Sequence, residues 1–134
     1  MKHAAFALTL RDATNTRDVE SVVACFAPDY VNQTPAHPAR GFTGIDQVRR
    51  NWTQIFAAVP DHTAALVASA QDGETVWTEW EMSGTRVDGG RHRMRGVIVF
   101  TVRAGLASAA RFYLEPVDDE DVDANAAVRR IVSR

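Results

Sequence analysis

The chain has 134 residues, of which 46% are hydrophobic and 24% are charged, and its formal net charge at pH 7 is −2. This length and composition are typical of one soluble globular domain. Because charges of both signs are scattered and no apolar run reaches about 18 residues, we expect neither a nucleic-acid-binding surface nor a membrane-bound protein. The amino-terminal segment lacks a signal-peptide cleavage pattern, so we expect a cytoplasmic protein.

The first half of the chain is predicted to be mainly helical. A short helix is expected over residues 3–12, and a second one, capped by Asn15 or Thr16, over residues 17–26. A short β-prone stretch at residues 30–34 leads into a loop rich in proline and glycine. The clearest helix follows, because its apolar residues recur at intervals of three and four and form one stripe: Ile45, Val48, Trp52, Ile55, Phe56 and Val59.

The second half of the chain is predicted to be a sheet. Four β-prone segments are separated by short turn sequences, and they cover residues 62–69, 75–86, 92–103 and 106–114. Helices followed by a run of antiparallel strands predict an α+β domain whose sheet packs one face against the helices. We expect this domain to occupy residues 1–116. Residues 117–134 are predicted to add an acidic segment and a short basic helix.

Alternation along the strands predicts which side chains face inward. One face of the strand at residues 75–86 is mostly apolar and consists of Val76, Thr78, Trp80 and Met82. The opposite face alternates charge with one aromatic ring and consists of Trp77, Glu79 and Glu81. We therefore expect the first set to face the interior and the second set to face outward.

Several short motifs occur in an order that resembles the nuclear transport factor 2-like superfamily, specifically its SnoaL-like branch. The resemblance spans residues 6–116, and its motifs are Phe26-Ala27-Pro28-Asp29, Gly44-Ile45 leading to Trp52, Val59-Pro60-Asp61, Gly84-Thr85, Met94-Arg95-Gly96-Val97 and Arg111-Phe112-Tyr113-Leu114-Glu115-Pro116. It implies a cone-shaped, cystatin-like fold, in which a curved mixed sheet wraps around the amino-terminal helices and one long helix. It also implies a pocket between the long helix and the concave sheet face.

The resemblance and the strand alternation together imply a set of pocket residues for a small apolar molecule, aromatic or polycyclic. They are Tyr30, Asn32, Thr34, Trp52, Phe56, Thr78, Trp80, Met82, Ile98, Phe100, Phe112 and Leu114. The alternative is that these side chains fill a core and leave little cavity. Relatives pair through their outer sheet faces, which here implies a homodimer through Trp77, Glu79, Arg111 and Tyr113. A non-catalytic dimerisation or partner-binding domain is therefore a second interpretation.

The resemblance offers two catalytic mechanisms, and the chain lacks the residues for both. The base, tyrosine and carboxylic acid of ketosteroid isomerases correspond by position to Thr34, Leu10 and Ile98, which cannot perform those roles. The aspartate and histidine of SnoaL-like cyclases correspond to Ile98 and Arg86, and an arginine does not shuttle protons. Whether the chain is an enzyme is therefore left open by its sequence.

An isomerase, cyclase or lyase with a non-standard base is a third interpretation. Asp61 and His62 are the catalytic candidates, because desolvation of an inward-facing Asp61 would raise its pKa. The alternative for Asp61 is a structural carboxylate that accepts backbone hydrogen bonds. Adjacent strand residues point in opposite directions, so we expect at most one of the two to face the pocket. The four histidines are too dispersed for a zinc site, and nothing in the sequence predicts a metal or a cofactor.

Overall fold

A computed structural model describes residues 2–133 of the chain. Within these residues there are four α-helices: α1 (Ala5–Asn15), α2 (Val19–Val23), α3 (Ile45–Ala58) and α4 (Ala124–Val132). The strands are β1 (Phe26–Gln33), β2 (Phe42–Thr43), β3 (Thr63–Asp72), β4 (Thr75–Thr85), β5 (Arg91–Arg103) and β6 (Leu106–Pro116). They form one curled sheet in the order β2-β1-β6-β5-β4-β3. The predicted α+β class, with a curved sheet and one long helix, is confirmed.

The sheet is mixed because β1 returns to it alongside β6. β1 runs parallel to β6, whereas every other neighbouring pair of strands is antiparallel. The long strands β3 to β6 are consecutive in the chain and are joined by tight turns. Gly73 and Gly105 occupy positive φ angles of 59° and 78° in two of these turns, which is a conformation that glycine adopts without steric cost.

The second helix is shorter than the sequence predicts. It ends at Val23 instead of continuing to Phe26, and β1 begins at Phe26 instead of Tyr30. Phe26 already pairs with Ala107 of β6, whose backbone N–H donates to the carbonyl of Cys25. The register shifts between Phe26 and Val31, and Pro28, which has no N–H to donate, lies within that irregular segment.

The strand register turns one face of the sheet toward the helices. Trp80 is 1% exposed and Trp77 is 47% exposed, as expected from the alternation along β4. Trp80 lies level with Gly96 of β5 and Leu114 of β6. Gly96 has a φ of 151°, and a Cβ at this position would clash with the carbonyl oxygen of Tyr113. Only glycine therefore fits at the centre of this row of the sheet.

The helix α4 follows an extended acidic segment and has no buried residue. Its first turn is capped by Asp123, whose carboxylate accepts a hydrogen bond of 2.9 Å from the backbone N–H of Ala126. Its apolar residues Val128, Ile131 and Val132 are all exposed. In the described part of the chain, no helix has the length and apolar character needed to cross a membrane.

Candidate functional site

A cavity of about 290 Å³ lies between α3 and the concave face of the sheet. Residues from α1, α3 and five of the strands line it, and most of them are apolar. The apolar wall consists of Leu10, Phe26, Phe42, Val48, Trp52, Ile55, Met82, Met94, Ile98, Phe100, Phe112 and Leu114. The polar groups on the wall are Thr14, Tyr30, Asn32, Thr34, Arg40, Asn51, His62 and His92. Such a wall suits an apolar molecule oriented by a few polar contacts.

Three of the residues predicted to line the pocket lie outside its wall. Trp80 and Thr78 face the concave side, but both are 1% exposed and belong to the packed interior. The Nε1–H of Trp80 donates to the hydroxyl of Thr78 at 2.7 Å, and that hydroxyl donates to the carbonyl of Ile98 at 2.7 Å. These bonds satisfy both side chains within the sheet layer. Phe56 packs its ring against His62 at a centroid distance of 5.8 Å.

The other predicted pocket residues are on the cavity wall: Tyr30, Asn32, Thr34, Trp52, Met82, Ile98, Phe100, Phe112 and Leu114. On the β1 side, the hydroxyl of Tyr30 donates a 2.7 Å hydrogen bond to the side-chain oxygen of Asn32. Burial raises the pKa of Tyr30, so its phenol stays protonated at neutral pH. This pair therefore provides a neutral polar contact within the apolar wall.

His62 is an ionisable group on the wall that is almost completely buried, at 1% exposure. Its ring forms T-shaped contacts with the rings of Trp52 and Phe56 at centroid distances of 5.6 and 5.8 Å, and the ring of His92 lies 5.7 Å away. Its Nδ1 has no hydrogen-bond partner among the described residues. Burial, followed by the charges of His92 and Arg17, lowers the pKa of His62 to about 4. The imidazole is therefore neutral at physiological pH.

Asp61 does not have the environment expected of a base. Its side chain is exposed and lies off the cavity wall, and its Oδ1 accepts a 2.7 Å hydrogen bond from the backbone N–H of Thr85. That hydrogen bond is the main reason why the pKa of Asp61 is lowered, whereas the proposed base required a raised pKa. The neighbouring Gly84 has no room for a Cβ, which would clash with Val59. Asp61 is therefore a structural carboxylate that ties the end of β4 to this loop.

The catalytic positions implied by the resemblance are occupied by groups without acid–base chemistry. Leu10, Thr34 and Ile98 all line the cavity. Arg86 lies in the turn between β4 and β5, where its guanidinium pairs with Asp88 at 3.1 Å. No aspartate or glutamate is among the described residues that line the cavity. The ionisable side chains that remain on the wall are Arg40, Tyr30, His62 and His92.

The loop between β1 and β2 contributes the rim of the cavity. It contains a 3₁₀ turn, Pro38–Arg40, which begins just after His37. The Nε2 of His37 lies 2.8 Å from Oε1 of Glu115, which follows the wall residue Leu114 on β6. This contact links the loop to the edge of the cavity.

The outer face of the sheet carries the predicted dimer residues. Trp77 and Tyr113 are 47% and 44% exposed, which is high for large aromatic side chains. Trp77 lies level with Val99 and Arg111, and Glu79 lies level with Val97 and Tyr113. All four predicted residues therefore share this face.

Within residues 2–133, His, Cys, Asp and Glu side chains form no group of three or more that could hold a metal ion.

A family model described as the SnoaL-like domain matches residues 7–110 of the chain. No curated protein matches the chain significantly. Among solved structures, AclR of Streptomyces galilaeus, for which a hydroxylase function has been suggested, has a TM-score of 0.75 at 14% identity, with 96% of this chain and 95% of that one covered.

Two other similar structures contain small molecules. A Mycobacterium tuberculosis protein in complex with estradiol-17β-hemisuccinate has a TM-score of 0.68 at 19% identity, with coverage of 81% of this chain and 89% of that one. A Catenulispora acidiphila protein with a ketosteroid isomerase-like fold, in complex with trimethylamine, has a TM-score of 0.69 at 14% identity, with coverage of 84% and 87%. At these identities the likeness establishes a common fold.

Proposed function

The chain belongs to the SnoaL-like domain family, and we propose that it binds a small aromatic or polycyclic molecule in its interior cavity. The observation that carries this proposal is the cavity itself, which measures about 290 Å³ and has a wall of aromatic and aliphatic side chains interrupted by a few polar groups. Binding sites for small organic molecules commonly have this composition.

The volume of the cavity sets the size of the ligand. An engineered apolar cavity of about 150 Å³ accepts benzene, so a cavity of about twice that volume suits a molecule of two or three fused rings. Complexes of two proteins of this fold with small molecules, estradiol-17β-hemisuccinate and trimethylamine, support the proposal.

A catalytic role would depend on an imidazole of the wall such as His62, because Asp61 lies off the wall and no carboxylate is found among the described residues that line the cavity. A neutral imidazole with a pKa of about 4 is a weak base near neutral pH. We therefore propose ligand binding as the primary function, with His62 as the candidate acid–base group for an isomerase, cyclase or lyase reaction. Turnover that is unaffected in His62→Gln would contradict this catalytic role.

We predict that filling the cavity abolishes binding. Leu114→Trp places a larger side chain on the wall, and we expect it to weaken the binding of 2-naphthaleneethanol by at least about tenfold, measured by isothermal titration calorimetry. Tyr113→Trp is the matched control, because its exposed side chain is on the opposite face of the same strand. We expect the affinity of this control for 2-naphthaleneethanol to be within about twofold of that of the wild type. Equal binding by both variants would show that the ligand lies elsewhere.

The outer sheet face favours a second proposal, a homodimer through Trp77, Glu79, Arg111 and Tyr113. Exposed aromatic rings beside charged residues are typical of the residues that anchor protein interfaces. The two proposals are compatible, because the cavity and this face lie on opposite sides of the sheet. A solution mass equal to one chain, measured by sedimentation equilibrium, would contradict the dimer.

A further inference from the structure

Among the described residues that line the cavity, the charged and ionisable groups include a cation but no anion. Arg40 is the one arginine among the described lining residues, and no aspartate or glutamate accompanies it. The two imidazoles on the wall, His62 and His92, both have lowered pKa values, mainly because they are buried. A cationic ligand would find no countercharge on this wall, whereas an anionic ligand would find the guanidinium of Arg40.

Arg40 is available for such a contact. Its side chain makes no ion pair and no hydrogen bond with any other described residue, in contrast to Arg49, which pairs with Glu20 at 2.8 Å. Arg40 is exposed and also lines the cavity, which places it at the open end. A guanidinium stays charged at all physiological pH values and can bind both oxygens of a carboxylate.

The loop holds Arg40 in place from both sides. The backbone N–H of Arg40 donates to the carbonyl of His37 at 2.9 Å, and the side chain of His37 contacts Glu115 of β6 at 2.8 Å. After the turn, Gly41 lies so close to the carbonyl of Asn32 that a Cβ would be 3.1 Å from that oxygen. The turn is therefore fixed between β1 and β6, next to the wall residues Asn32 and Leu114.

We propose that the ligand is an aromatic or polycyclic carboxylate, whose rings enter the cavity and whose carboxylate pairs with Arg40 at the mouth. This inference rests on the proposed function, since it specifies the chemistry of the molecule that the cavity binds. The rings supply most of the binding through burial of apolar surface, and the guanidinium selects the acid over neutral and cationic analogues. Because the mouth is exposed to water, the selection is moderate and weakens with salt.

The test uses three probes that share one ring system: 2-naphthylacetate, 2-naphthaleneethanol and 2-naphthaleneethylamine. By calorimetry at low salt, we expect the wild type to bind the acid about tenfold more tightly than the alcohol, and the amine most weakly. In Arg40→Gln, the advantage of the acid over the alcohol should fall to within about twofold. Arg103→Gln is the charge-matched control, because Arg103 is at the opposite end of β5 from His92, and it should keep the full advantage.

A positioning role for His37 is tested by His37→Ala, which should reduce the advantage of the acid and leave the affinity for the alcohol as in the wild type. A wild type that binds all three probes equally would overturn the carboxylate proposal and leave the binding cavity intact. An Arg40→Gln chain that keeps its preference for the acid would overturn the role of Arg40. Failure of the wild type to bind any probe would overturn the proposed function as well.

Discussion

Replacing His62 with leucine is expected to remove about 3 kcal/mol of acid-induced destabilisation between neutral pH and about pH 4. In the folded chain, burial and the neighbouring His92 and Arg17 lower the pKa of His62 to about 4 from an ordinary value of 6.5. The unfolded chain therefore takes up a proton at this imidazole at a higher pH than the folded chain. The contribution of the neutral His62 imidazole to the free energy of unfolding is therefore fully present above pH 6.5 and is lost as the pH falls toward 4.

Urea denaturation of the wild type and of His62→Leu over this pH range measures the effect. The free energy of unfolding of the wild type should fall more steeply with acid than that of the variant. At neutral pH the variant should be at least as stable, because it removes a buried nitrogen that has no hydrogen-bond partner among residues 2–133. His62→Gln cannot titrate either and should show the same shallow acid dependence, whereas parallel curves for all three chains would contradict the buried, neutral imidazole.

Trp80→Ala is expected to lower the free energy of unfolding by about 3–5 kcal/mol, which is the usual cost of deleting a buried aromatic ring. Trp80 is 1% exposed, and its loss also leaves the hydroxyl of Thr78 without one of its two hydrogen bonds. Trp77→Ala is the matched control on the opposite face of β4, where the ring is 47% exposed. We expect this control to lower the free energy of unfolding of the monomer by less than about 1 kcal/mol.

Chemical denaturation at a low protein concentration, where a dimer would contribute little, separates the two tryptophans. A larger loss of unfolding free energy for Trp77→Ala than for Trp80→Ala would mean that the register of β4 is shifted by one residue, so that its two faces are exchanged. In that case the side chains assigned to the cavity wall on β4 and β5 would lie on the outside.

The sequence predicts the faces of the strands well because alternation has a period of two and the strands are long. Met82, Ile98 and Phe112 were assigned to the concave side in this way, and all three lie on the cavity wall. Alternation gives the direction of a side chain, not its depth in the layer. Trp80 points to the same side but is held in the packed interior by its hydrogen bond to Thr78.

Residues outside regular periodicity were harder to predict. Arg40 lies in a loop, and only the fold of that loop brings it to the mouth of the cavity. His92 lies at the start of β5, beside a turn, and yet it lines the wall. Its signal was present in the sequence, because His92 has the same parity along β5 as Met94 and Ile98. The length of α2 depended on a long-range pairing between Phe26 and Ala107 that no local pattern encodes.

Alternation along the chain does not decide which of the neighbours Asp61 and His62 faces the cavity. Alternation allowed at most one of the two to face the pocket, and it is His62 that lines the wall. The hydrogen bond that fixes Asp61 on the outside comes from Thr85, at the far end of β4. A contact between residues so distant in the chain depends on the tertiary fold, so the sequence alone left both roles open.

Intermolecular NOEs between bound 2-naphthaleneethanol and the methyl groups of the protein test the central claim most directly. Val97 and Ile98 are neighbours on β5; Ile98 lines the cavity, whereas Val97 lies level with the outer-face residues Glu79 and Tyr113. A ring system inside the cavity should give cross-peaks to the methyl groups of Ile98, Met82 and Leu114 and none to Val97. Cross-peaks to Val97 without any to Ile98 would place the ligand on the convex side of the sheet and contradict the proposed binding site.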